Sequence, residues 1–151
     1  MARMRLLPIA LLLAATSCST TLLKRDIQRQ SDGWTLTFHE FLDGPNGFTA
    51  RSGAGFVPPS GERYMWVVLS IRNDLGTERT FNFQSCGLEL GDDESLPLYV
   101  GLNIGTSAQV TATPEVAPGE QITRKLAFAY PKDRQPSRLT CFGNVIELRP
   151  A

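Results

Sequence analysis

The alternation of apolar and polar side chains that begins at residue 33 constrains the fold more than any other feature of the sequence. Residues 33–41 alternate between apolar and polar side chains, so that Trp34, Leu36 and Phe38 point to one face of an extended strand. Turn-forming segments rich in Gly, Pro, Asn and Asp separate such stretches, and none of the stretches shows a sustained helical apolar period. The pattern predicts an all-β chain.

The strongest predicted strand covers residues 63–73. Its apolar side chains point in both directions, with Met65 and Val67 on one face and Tyr64 and Trp66 on the other. Apolar residues on both faces are typical of a central strand that is covered on two sides. Two interpretations of Tyr64 and Trp66 follow: they fill the second side of this strand, or they form an exposed aromatic patch that binds a partner.

Further short strands are expected across the rest of the chain. They cover residues 80–83, 86–90, 96–102, 121–130, 138–142 and 144–148. Many short strands joined by tight turns predict an immunoglobulin-like, two-sheet antiparallel β-sandwich of about 7–9 strands over residues 33–150. A small closed β-barrel is the alternative architecture.

The first residues have the features of an export signal. Arg3 and Arg5 precede an apolar stretch at residues 6–15, and small residues follow it. The stretch is too short to cross a bilayer, which takes about 20 apolar residues. We expect residues 1–17 to be a signal peptide; the alternative is a short buried N-terminal helix.

Residues 15–18, Ala-Thr-Ser-Cys, resemble the lipobox of bacterial lipoproteins. In that family the cysteine is acylated by diacylglyceryl and usually palmitate, and becomes the new N-terminus. The resemblance implies that Cys18 anchors the protein to a membrane. Because Ser19 is not Asp, the outer membrane is implied if the organism is Gram-negative. Cleavage at the same point without acylation, which would give a secreted protein, is the alternative.

Residues 18–32 are mainly polar, with few apolar anchors. The sequence therefore predicts a lipidated N-terminus followed by a flexible tether. A short helix that buries Leu22, Leu23 and Ile27 is the alternative.

Two cysteines remain once Cys18 is set aside. Cys86 and Cys141 both lie in predicted strands of an exported chain, so we expect them to form a disulfide in an oxidising compartment. Closing so long a loop would stabilise the fold by about 4 kcal/mol in the chain-entropy model. Two separate buried thiols are the alternative.

The sequence supplies few residues for catalysis or metal binding. It has one histidine, His39, which is expected on the solvent side of its strand, and no Gly-x-Ser-x-Gly, P-loop or dinucleotide-binding motif. Acidic residues 92–94 form an expected hairpin tip. From residue 18 onward, thirteen basic and fifteen acidic side chains leave a net charge of −2, unlike a nucleic-acid-binding domain. We expect a non-catalytic protein with no cofactor, no metal and no nucleic-acid partner.

Three segments together resemble a known family. Residues 61–73, 116–120 and 126–131 resemble, in this order, motifs of extracytoplasmic bacterial immunoglobulin-like domains of unknown function, which share the fold of a secreted mycobacterial antigen. The resemblance implies a β-sandwich and a location in the cell envelope. The expected function is that of a membrane-tethered module that binds another envelope protein or an extracellular ligand. The alternatives are a structural or accessory subunit of an envelope complex and, third, a secreted enzyme.

Overall fold

The computed structural model describes residues 20–23, 26–44, 47–49, 53, 55–91 and 94–148. The predicted signal peptide and Cys18 lie outside these residues. Among the residues described, no helix has the length and apolarity needed to span a bilayer.

The described residues form fourteen strands and one short 3-10 helix. The strands are β1 Thr20–Leu23, β2 Ile27–Ser31, β3 Trp34–Asp43, β4 Phe48–Thr49, β5 Gly55–Phe56, β6 Glu62–Asn73, β7 Arg79–Thr80, β8 Cys86–Leu90, β9 Ser95–Pro97, β10 Val100–Asn103, β11 Glu115–Val116, β12 Gln121–Pro131, β13 Pro136–Cys141 and β14 Asn144–Glu147. The 3-10 helix, Phe83–Ser85, is capped at its N-terminus by Asn82, whose side chain accepts a hydrogen bond from the Gln84 amide.

The larger sheet is built around β6, the longest strand. In this antiparallel sheet β6 lies between β3 and β12, and β10 pairs with the far edge of β12. At the opposite edge, β2 pairs with the first half of β3 and β1 pairs with its last residues. The pairing of β3 with β6 shifts between Phe38 and Glu40, which makes His39 the extra residue of a β-bulge.

The smaller sheet packs against the larger one. Its strand order is β14-β13-β8-β9, and two further pairs, β4–β5 and β7–β11, lie outside the two main sheets. Side chains from β3, β6 and β12 interdigitate with side chains from β8, β13 and β14 in one buried cluster. The alternation in the sequence sets this core, because every second residue of a strand points to the same face. Its largest members are Trp34, Phe38, Phe41, Phe81, Phe83, Phe128 and Tyr130.

The predicted disulfide is confirmed. Cys86 and Cys141 are bonded to each other and buried, and they stand directly opposite each other on β8 and β13. The bond therefore joins neighbouring strands of one sheet, whereas the disulfide of antibody domains joins two sheets.

The predicted fold class is also confirmed: the chain is an immunoglobulin-like, two-sheet antiparallel β-sandwich and not a closed barrel. Two strand predictions need correction. Residues 96–102 are not one strand, since β9 belongs to the smaller sheet and β10 to the larger. In the predicted strand 80–83, only Thr80 is in a strand, and Phe83 begins the 3-10 helix.

The prediction of a flexible tether at residues 18–32 is wrong for the part that the structure describes. β1 and β2 complete the larger sheet along β3, and the side chains of Leu22 and Ile27 pack against the core. The remaining residues of β2 are polar because they lie on an edge strand that faces solvent. An exposed edge strand therefore has the same polar composition as a flexible linker, and the sequence pattern cannot tell the two apart.

Candidate functional site

The candidate site lies on the face of the larger sheet that points away from the smaller sheet, here called the outer face. Antiparallel pairing arranges its side chains in rows across β2, β3, β6 and β12, because residues directly opposite each other share a face. The rows at one end are apolar and the rows at the other end are polar.

The apolar rows form a second core. Tyr64, Trp66, Val100, Leu102 and Ala127 are buried in one cluster. The β4–β5 pair supplies its cover: the rings of Phe48 and Phe56 are stacked 4.7 Å apart, and Phe48 meets the Trp66 ring edge-on at 4.9 Å. We call this cluster with its aromatic cover the covered half.

The covered half decides between the two interpretations of Tyr64 and Trp66. Tyr64 is 0% exposed and Trp66 1% exposed, so they do not form an exposed aromatic patch for a partner. They fill the second side of a central strand. Burial, followed by the neighbouring Tyr99, raises the pKa of Tyr64 to about 12, so its phenol stays neutral at physiological pH.

A charged row borders the covered half. Glu40, Val68 and Lys125 are neighbours across three strands, and the Lys125 ammonium lies 4.7 Å from the centroid of the Trp66 ring. Burial lowers the pKa of Lys125, and the carboxylate of Glu40 opposes that shift. A cation against an indole face is favourable even when it is partly removed from water.

Beyond this border the outer face is polar; we call this region the open half. One row joins Gln28, Thr37, Ser70 and Thr123, and the next joins Gln30, Thr35, Arg72 and Gln121. Hydroxyl, amide and guanidinium groups therefore lie side by side on a rigid sheet. Such groups suit recognition of a polar ligand or a polar protein surface.

A chain of hydrogen bonds crosses the open half. His39 Nδ1 lies 2.9 Å from Asp26 Oδ1, and His39 Nε2 lies 2.8 Å from Ser70 Oγ. Thr123 Oγ1 is 2.6 Å from Ser70 Oγ. Since a carboxylate only accepts, a neutral His39 donates from Nδ1 to Asp26 and accepts at Nε2 from Ser70, which in turn accepts from Thr123.

This connectivity matches a Ser-His-Asp catalytic triad, but the surroundings of the serine do not. Ser70 is only 2% exposed and sits in the middle of β6, where its backbone is paired on both sides. Its oxygen is shared between His39 and Thr123. A nucleophile must reach a substrate carbonyl, and this geometry instead clamps three strands and Asp26 together.

The sequence pattern does not predict this series of hydrogen bonds through His39. His39 was expected on the solvent side, and its side chain is indeed partly exposed, at 34%. Its partner Asp26 fell in the segment interpreted as a tether, and Ser70 is far along the chain. The β-bulge at His39 is the local feature that the sequence pattern did not reveal.

A shallow hollow of about 540 Å³ extends the open half beyond the last row. Residues 30–34, Arg72 and Asp74 line it. The Arg79 guanidinium lies 4.9 Å from the centroid of the Trp34 ring and donates to the Asp32 backbone oxygen at 2.7 Å. These contacts hold the turn at Asp32, which has a positive φ of 48°, against the sheet.

Two carboxylates line the hollow, Asp32 and Asp74, and Asp74 is the one bonded to the open half. It accepts hydrogen bonds from the Thr35 hydroxyl and from Arg72 Nε, the latter at 2.7 Å. These two bonds, Thr35 first, hold the pKa of Asp74 below its ordinary value of 3.8. Asp74 is therefore ionised, and paired, over the whole physiological range.

Cys18 lies outside the described residues, and the Cys86–Cys141 bond belongs to the smaller sheet rather than to the outer face. In the part of the chain that the structure describes, no three His, Cys, Asp or Glu side chains gather where they could hold a metal ion. Asp92 and Asp93, which the sequence places in an expected hairpin tip, are outside that part.

Comparison with solved structures identifies β-sandwich proteins of similar shape. A conserved hypothetical protein from Bacillus anthracis superposes with a TM-score of 0.66 at 12% identity, covering 87% of this chain and 97% of its own. An uncharacterized β-sandwich protein from Clostridium difficile 630 gives 0.55 at 16% identity, with 82% and 93% covered. A functionally unknown protein from Listeria monocytogenes EGD-e gives 0.51 at 15% identity, with 78% and 68% covered. No protein-family model and no curated protein sequence matches the chain. At these identities the likeness shows the fold alone.

The Asp74→Asn variant should change how stability depends on pH. Because the folded-state pKa of Asp74 is lowered, its carboxylate stabilises the fold above the ordinary pKa and loses that effect as pH falls through the folded-state value. We expect the variant to be about 0.5–1 kcal/mol less stable at pH 7, with the difference shrinking in acid. Urea unfolding at pH 7 and at pH 3 measures this, and Glu78→Gln, exposed in the same turn, serves as control. A constant difference at both pH values would contradict the assignment.

Ser70 should not react with a fluorophosphonate probe, because its hydroxyl is buried and shared between two partners. Mass spectrometry should show no gain of probe mass in the treated wild type or in treated Ser70→Ala, each compared with its own untreated sample. A stoichiometric adduct on Ser70 that disappears in His39→Ala would show instead that the triad is active.

Proposed function

We propose that this protein is a non-catalytic lipoprotein of the cell envelope, tethered to the membrane through Cys18, that binds a partner through the open half of its outer face. The observation that carries the binding role is the unequal covering of that face. The hairpin of Phe48 and Phe56 buries one half. In the two rows of the open half, Ser70 and Thr35 are buried among their neighbours, whereas Gln28, Gln30, Arg72 and Gln121 are exposed.

The signal-like residues and Cys18 support the envelope location. The disulfide between Cys86 and Cys141 agrees with it, because such bonds persist mainly in oxidising compartments outside the cytoplasm. If the organism is Gram-negative, Ser19 favours the outer membrane. The alternative location is the external medium, with the chain cleaved but not acylated.

The resemblance to extracytoplasmic immunoglobulin-like domains adds support for a binding role. The partner we propose is another envelope protein or an extracellular ligand of polar character, since the open half offers hydroxyl, amide and paired charged groups. Binding is favoured over catalysis because the serine that would act as nucleophile is inaccessible.

A second candidate is a structural or accessory subunit of a larger envelope complex. Tyr99 and Ile104, immediately before and after β10, are both about half exposed, at 49% and 48%. These apolar side chains lie at the other edge of the larger sheet. An accessory subunit would use such an edge in place of the open half.

Site-specific photo-crosslinking in cells that produce the full chain tests the proposal. A photoreactive amino acid is placed at Gln28 or Gln121 in the open half, at Tyr99 beside β10, or at Val145 on the smaller sheet, all of which are exposed. We expect adducts of defined mass from Gln28 and Gln121 and none from Val145. Adducts from Tyr99 alone would favour the accessory subunit, and adducts from Val145 alone would contradict binding through the outer face.

A further inference from the structure

The position of β1 fixes which end of the sandwich lies nearest to Cys18. Thr20, the first described residue, pairs with Asp43, the last residue of β3. β6 begins and β12 ends at this same end of the sheet, where Glu62 pairs with Pro131 and the Lys132 amide donates to the Gly61 carbonyl at 3.0 Å. We call this the Thr20 end of the sandwich.

Little chain is available between Cys18 and the folded domain. Thr20 follows Cys18 by two residues, which span at most about 7 Å even when fully extended. The polar headgroup layer of one leaflet is itself roughly 5–8 Å thick. A lipid on Cys18 would therefore bring the first strand of the sandwich to the membrane surface.

We infer that the Thr20 end of the sandwich lies directly against the lipid headgroups of the membrane that holds Cys18, with no intervening spacer. This inference rests on the proposed acylation of Cys18. It names the bilayer as the partner of a surface that the proposed function leaves unassigned.

The chemistry of the Thr20 end suits this contact. Lys132 is exposed there, while Arg63 is paired with Asp43 at 2.9 Å and Arg134 with Glu94 at 3.4 Å. The connection that enters β6 at this end also carries Val57, which at 73% is the most exposed large apolar side chain among the residues described. Charges of both signs lie at this end, since Asp133 beside Lys132 is also exposed, and Val57 supplies the kind of apolar side chain that interfacial surfaces use.

The hollow of the open half then points away from the membrane. It lies at the other end of β6, beside Arg72 and Asp74. Eleven steps along this strand, from Glu62 to Asn73, correspond to about 35 Å at the usual strand rise. The hollow would stand up to that distance above the headgroups, accessible to partners in the surrounding space.

Lipid-dependent quenching tests this placement. The acylated mature protein, residues 18–151, is reconstituted in phospholipid vesicles that carry a nitroxide on the headgroup. A fluorophore is attached to a new cysteine in Lys132→Cys at the Thr20 end, or in Glu78→Cys at the far end as the matched control. Both positions are exposed. We expect severalfold stronger quenching at position 132 than at position 78.

An insertion provides the second control. Ten Gly and Ser residues between Ser19 and Thr20 add a flexible segment of about 17 Å, so quenching at position 132 should fall towards that at position 78. Flotation of the vesicles reports the anchor separately. Protein that floats but shows equal quenching at the two positions would overturn the placement and leave the anchor intact. Protein that does not float would overturn the anchor at Cys18, and the placement with it.

Discussion

The burial of β6 on both of its faces is the constraint on which the rest of the structure depends. Met65, Val67, Leu69 and Ile71 face the smaller sheet, while Tyr64 and Trp66 face the other way. A sandwich covers only one face of each sheet. The aromatic residues on the outer face therefore need their own cover, and the β4–β5 hairpin supplies it with Phe48 and Phe56. Removing an aromatic side chain buried like Trp66 costs about 3–5 kcal/mol, which is a large part of the stability of a small domain.

The same constraint shapes the candidate site. Because the hairpin covers one half of the outer face, the adjacent rows can remain polar without exposing the core. The chain from Asp26 through His39 to Ser70 and Thr123 satisfies hydroxyl groups that would otherwise be costly to bury. The ion pair of Arg72 with Asp74 and the hydrogen bond of Arg79 to the Asp32 backbone oxygen fix the residues that line the hollow. The result is a rigid polar surface, which loses little conformational freedom when it binds a partner.

The alternation of side chains in the sequence correctly predicts which residues face the core. It does not predict features that depend on which strands pair with each other. Trp34, Leu36 and Phe38 face the core as the period of two required, and Cys86 and Cys141 are bonded. The role of β2 could not be predicted, because residues 28–30 of this exposed edge strand are polar on both faces and show no alternation. The hydrogen bonds of His39 and Ser70 join residues from positions 26 to 123, so no local spacing in the sequence could reveal them. Phe48 and Phe56, on either side of a Gly-rich segment, were the available signal for the cover over Trp66.

The proposed location and the placement against the membrane depend on export and on the lipid at Cys18, and the intact mass of the protein from its native membrane fraction tests both. The account predicts the mass of residues 18–151 plus a diacylglyceryl group and one further acyl chain, less two hydrogens for the Cys86–Cys141 bond. A protein recovered in soluble form, with the mass of the unacylated chain, would contradict the account. The open half of the outer face would then have to be explained as the surface of a freely diffusing protein.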